Sequence, residues 1–182
     1  MDRFFVLFAA SLLTVLLFSA PPKSIGGIAV PPDTAVDDAL TKVATKRAAD
    51  EMKNVLAQLD RDARPPAVKD EIRRKVARLK VFVLTSSHTV DEVVRFYEQT
   101  ISEATFQFAG RGLVADLEEV ARLGGFSVDP EVRKKWEMTN IKSARWSRSD
   151  GSVEIDVEDH LIDPRDGTVS AKTVLLITTT VN

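Results

Sequence analysis

An α+β domain with an antiparallel sheet, set behind an apolar N-terminal segment, is the fold class this sequence predicts. Three observations predict it. Residues 33–79, 89–103 and 113–123 carry apolar side chains at three-to-four spacing, the period of a helix with one buried face. The C-terminal stretch instead alternates apolar and polar residues about two turn sequences, Asp150-Gly151 and Asp163 to Gly167. Before both lies Phe4 to Ala20, FFVLFAASLLTVLLFSA, with no charged residue in it.

That first segment follows a short end in which Arg3 and the free amine outweigh Asp2. A positive end, an apolar run and then small and turn residues is the pattern of an export signal. The run is 17 residues long, at the lower limit for crossing a bilayer. It therefore reads either as a retained membrane anchor or as a cleaved signal, cut after Ala20 or after Ala29. Either way the remainder is expected on the periplasmic or extracellular side of a membrane. Residues 21–32, PPKSIGGIAVPP, read as a linker by their prolines and glycines.

Asp33 to Leu59 reads as a long helix capped by Asp33 or Thr34. Its narrow stripe contains Leu40, Val43, Met52, Val55 and Leu59. Pro65-Pro66 stops the pattern, and a second helix runs to Leu79, giving a helical pair over 33–79. Val81 to Thr85 is β-branched and aromatic, a buried strand. Thr89 and Glu92 form a capping box ahead of a helix to about Glu103. Phe106 to Gly112 reads as irregular, Leu113 to Leu123 as a helix ended by Gly124-Gly125, and Asp129-Pro130 as the start of a short helix toward Trp136. Pairing across Asp150-Gly151 sets Trp146 opposite Ile155, Arg145 opposite Asp156 and Ser147 opposite Glu154. The return strand then sets Ile162 opposite Thr168, Val157 opposite Thr173, Ile155 opposite Leu175 and Val153 opposite Ile177. Helices 89–103 and 113–123 are the expected cover for the apolar sheet face, in a domain spanning 80–182.

Val81 to Tyr97, VFVLTSSHTVDEVVRFY, resembles the strand-then-helix unit of small exported bacterial α+β domains of unknown function. There a strand leads into an S-x-x-x-V-x-x-V-x-x-F-Y helix, matched here by Ser86, Val90, Val93, Phe96 and Tyr97. The resemblance implies a curved antiparallel sheet after the helix, and no particular activity.

Composition excludes several chemistries. A net charge of −2 lacks the basic excess that nucleic acid requires. The absence of cysteine removes disulfides, thiolate ligands, thiol nucleophiles and a lipidated cysteine. Glu154, Asp156, Glu158 and His160 alternate along one strand, and carboxylates with an imidazole in a row suit a divalent cation. The simpler reading is a solvated strand face with Arg145 and Lys172 as cross-strand partners, so no metal and no cofactor are expected. His88 beside Ser86 and Ser87 lacks a visible third partner for nucleophilic catalysis. Gly110-Arg111-Gly112 and Gly124-Gly125 lack the spacing of a phosphate loop. Phe106, Phe108, Phe126 and Trp136 either line an apolar groove or close the core. The stripe of helix 33–59 suits either the second helix or another chain. The function expected is a non-enzymatic accessory or binding protein, exported or anchored through residues 4–20. Its alternatives are a carrier of a small apolar ligand and a metal-assisted hydrolase using Glu154, Asp156, Glu158 and His160.

Overall fold

The computed structural model describes residues 24–61, 65–163 and 166–180. The apolar segment 4–20 lies outside them, and among the described residues no helix is long and apolar enough to cross a membrane. Strands β1 (Ser24–Ile25), β2 (Ile28–Ala29) and β3 (Thr34–Val36) come first. Helices α1 (Asp38–Arg61) and α2 (Pro66–Ala77) follow. Then come β4 (Leu79–Ser86), α3 (Val90–Thr100), β5 (Gln107–Gly112), α4 (Leu113–Gly124) and α5 (Pro130–Trp136). The chain closes with β6 (Asn140–Ser147), β7 (Val153–Glu158), β8 (Leu161–Ile162), β9 (Val169–Ser170) and β10 (Thr173–Thr180). Six strands make one antiparallel sheet in the order β3-β4-β10-β7-β6-β5, while β1-β2 and β8-β9 are separate hairpins.

Period-two alternation divides this sheet into two faces. One carries Leu84, Ala144, Trp146, Val153, Ile155, Val157, Leu175 and Ile177, and α3 covers it with Val90, Val93, Val94 and Tyr97. Burial of each such aliphatic side chain contributes roughly 1.5–3 kcal/mol, so this layer is the main core. The α3 capping box forms as expected. Glu92 accepts the Thr89 backbone N–H at 2.8 Å, and the Thr89 hydroxyl accepts the Glu92 N–H at 3.4 Å. Phe106 stacks between Tyr97 and Trp146 at 6.2 and 6.4 Å and closes one end. Burial pushes the Tyr97 phenol well above its ordinary range.

Residues 24–30 correct the linker expectation. They fold as the β1-β2 hairpin, whose Ile28 and Val30 are 6% and 4% exposed and belong to the main core. Gly26 and Gly27 take φ of 58° and 83° at its tip, a region costly for L-residues. A Cβ on Gly26 would also stand 2.8 Å from the Thr179 hydroxyl of β10. The Pro/Gly content marked a tight turn here rather than a free tether.

The start of α1 is a second correction. Residues 34–36 pair with β4, and the helix is capped by Asp37, whose carboxylate accepts the Leu40 N–H at 3.0 Å. Asp37 N–H also donates to the Val83 carbonyl at 2.9 Å, and the Thr41 hydroxyl accepts the Val83 N–H at 2.9 Å. The start of α1 thus satisfies the β4 edge beyond the point where β3 ends. A third correction is β5. Residues 107–112 pair with β6 over their whole length instead of forming an irregular loop, and all six are exposed.

The hairpin across Asp150-Gly151 has the expected register, with Arg145 opposite Asp156 and Trp146 opposite Ile155. The return strand is shifted from expectation. Val157 meets Leu175, Ile155 meets Ile177, Val153 meets Thr179, and Ile162 meets Val169. Strands β8 and β9 make their own small hairpin, and residues 171–172 carry the chain on to β10. Between β7 and β10 the shift is two residues, which leaves every side chain there on its original face, so the apolar layer survives it.

Helix α4 corrects the expectation that it shares the α3 face. It lies beside β5 on the opposite side of the sheet, with Leu113, Leu117, Ala121 and Ile141 buried outside the main core. On that same side α1 lies over β4, above Val81 and Val83. Helix α2 buries no residue of its own and is tied to α1 by Arg73 and Asp60 at 2.7 Å. The expected helical pair is therefore secondary to the seating of α1 on the sheet.

Candidate functional site

The second face of the sheet is covered at its two sides and open between them. Alternation places Val174, Leu176 and Thr178 of β10, and Glu154, Asp156 and Glu158 of β7, on this face. Helix α1 rises on the β4 side and α4 on the β5 side. Arg47 of α1 reaches Glu119 of α4 at 3.6 Å across the gap. What remains is a groove of about 730 Å³, within the range of roughly 300–1,000 Å³ usual for small-molecule sites.

Its two halves differ in chemistry. Val43, Ala44, Ala48 and Met52 of α1 face Val174 and Leu176, forming an apolar wall. The other half is charged, and its charges form a pattern. Arg111 on β5 pairs with Asp116 and, at 2.7 Å, with Glu158. Arg145 on β6 pairs with Asp156 and lies 3.9 Å from Glu154. Arg47 lies 3.0 Å from Glu51 and 3.6 Å from Glu119. Each of the three guanidiniums is thus shared by two carboxylates, and among the described residues each cluster is one positive charge short.

Burial raises the Glu158 carboxyl above its ordinary value, the charges of Asp116 and Asp156 add to this, and Arg111 opposes it. Burial likewise raises Glu154, with the Asp156 charge adding and Arg145 opposing. Both carboxylates lose hydration that their arginine partners only partly replace.

The four residues singled out as a metal set meet along this groove without forming one. Glu154, Asp156 and Glu158 do share a face, as alternation requires. His160 follows a bend at Asp159, outside the strand, and its Nδ1 lies 2.7 Å from the Asp159 carboxylate. Among the described residues no group of three or more His, Asp or Glu is placed to hold a metal ion. The strand carboxylates converge on arginines instead.

The α1 stripe is divided. Leu40 and Leu59 are buried, Val43 and Met52 line the groove, and Val55 is 42% exposed. Only Leu40 and Leu59 of the stripe are therefore buried within this chain. Of the aromatic candidates, Phe106 is core and Phe108 is 53% exposed on β5. A Cβ on Gly167 would come within 2.7 Å of the Phe126 ring, and Trp136 lies edge-on to His160 at 6.0 Å. None of the four lines the groove. The His88 imidazole is 3.9 Å from Glu92, and the Ser86 hydroxyl accepts the His88 backbone N–H at 3.2 Å. The two side chains do not form a nucleophile–base pair.

Sequence reasoning found the β7 carboxylates and their Arg145 partner. It missed Arg111, Asp116, Arg47, Glu51 and Glu119. The signal for Arg111 was present, because an arginine between glycines is compatible with an edge strand, but nothing local ties β5 to β6. Comparison with known proteins returns no matching family model, no matching curated protein and no matching solved structure.

Proposed function

We propose that this chain is a non-enzymatic binding protein that holds a small ligand with an apolar body in the groove between α1, α4 and the open sheet face. The carrying observation is that groove. A sheet face carrying Val174 and Leu176, bordered by Met52 of α1, is left uncovered between two helices, although covering it would bury more apolar surface. The oily, uncharged segment 4–20 supports placement of this domain on the far side of a membrane, as an anchored or secreted carrier. The groove draws its polar groups from four strands and two helices, with no paired nucleophile and base among the described residues, which favours binding over turnover.

Native mass spectrometry of the full chain purified from its own cells tests the proposal. A bound small molecule of constant mass is expected, and it disappears in Ala48→Trp, which fills the apolar wall. A persistently empty protein, or a ligand retained unchanged by Ala48→Trp, would overturn the reading.

A further inference from the structure

We infer that the occupant of the groove is an organic cation, an aliphatic amine or guanidinium whose chain lies on the α1–β10 wall and whose head reaches the β7 carboxylates. This rests on the groove being a ligand site and adds the class of ligand.

Charge complementarity carries the inference. Among the described residues, six carboxylates line the groove against three guanidiniums, and the pairing given above leaves no cluster balanced. A ligand entering the groove displaces water from these groups. A neutral chain would leave the surplus carboxylates less hydrated with nothing in return, and an anion would add like charge to each cluster. A cationic head supplies the missing positive charge and donates charge-assisted hydrogen bonds.

The layout of the two halves fixes the rest of the ligand. Leu176 on β10 stands directly opposite Asp156 on β7 across one rung of the sheet, and Val174 stands opposite Glu158. Directly opposed side chains lie roughly 4.5–5.5 Å apart at Cβ. The apolar and acidic strips therefore run side by side, within the reach of one short alkyl chain and its head group. Successive carboxylates on β7 are spaced by roughly 6.6–6.8 Å, the two-residue repeat of a strand, so the head has more than one acceptor along the groove.

Isothermal titration of the full chain in nonionic detergent, with protein-free detergent as blank, decides the matter using hexylamine, hexanol and hexanoate. Hexylamine is expected to bind about tenfold more tightly than hexanol, the scale of one charge-assisted hydrogen bond, and hexanoate most weakly. Glu158→Gln and Glu154→Gln are each expected to lower hexylamine affinity several-fold while leaving hexanol unchanged, with Glu98→Gln on the outer side of α3 as the surface control. Equal binding of all three probes would overturn the cation inference and leave the groove reading standing. Binding of none would overturn both. A loss in Glu98→Gln as large as in the groove variants would reduce the effect to general surface attraction and likewise overturn the inference. Because both groove variants are isosteric and act separately, retained hexanol binding in either one shows that the fold is intact.

Discussion

Glu158 is the residue at which stability and binding meet. Its carboxylate accepts from Arg111 at 2.7 Å, yet burial keeps its pKa above the ordinary 4.5. The folded chain therefore retains a proton there that the unfolded chain has already released. By linkage, its contribution to stability is most favourable at low pH and is lost as pH rises from the ordinary glutamate value through the raised folded value. Glu158→Gln removes that dependence. Urea melts between about pH 4 and 7 should show the variant gaining on the parent chain as pH rises, with the gain setting in near 4.5 and levelling off above the raised folded value. A constant difference across that range would contradict the assignment. At this scale the sequence was a good guide wherever a turn fixes register. Arg145 and Asp156 were paired correctly because only the short loop through Asp150-Gly151 lies between their strands, and so short a loop leaves little freedom of register. Arg111 escaped because its partner strand lies about thirty residues on, beyond two helices, and no local rule joins them.

Among the elements, the β1-β2 hairpin makes the largest departure from expectation. Ile28 and Val30 enter the main core, so Ile28→Ala should destabilise the protein by about 2–4 kcal/mol, measured by chemical denaturation. A cost below about 0.5 kcal/mol, the level of an ordinary surface change, would mean that the hairpin is not part of the cooperative unit. Composition misled here because glycines and prolines mark turns as readily as tethers, and only the tertiary partner, Thr179 against Gly26, separates the two. Helices 89–103 and 113–123 were legible because their stripes are wide and each carries a cap at one end, the Thr89 capping box on α3 and Gly125, with φ of 73°, on α4. Strand β5 was not, since its six residues are all exposed and an edge strand with two glycines carries no alternating apolar signal. The start of α1 was misplaced by a few residues because Asp33, Thr34 and Asp37 are all acceptable caps, and pairing of residues 34–36 with β4 decides among them.

The whole molecule has one thick layer and one thin layer about a single sheet. The α3 side holds the main core, and the opposite side holds two small clusters with the groove between them. Hydrogen exchange should follow this asymmetry. Amides of β4, β10 and β7 are expected to exchange only on global unfolding, whereas those of α2, which buries no residue, should exchange through local opening at much lower cost. Protection of α2 equal to that of β10 would contradict this layering. The groove itself could not be read from the chain. It depends on α1 and α4 standing on the same side of the sheet, and the two helices are joined there by an exposed ion pair of the kind that contributes little to stability. The topology also carries a consequence for biosynthesis. Strand β10, inside the sheet, comes last in chain order among the described strands, and both of its neighbours, β4 and β7, must wait for it with one side unpaired. A nascent chain is thus held open across the middle of its sheet until residues 173–180 have been made.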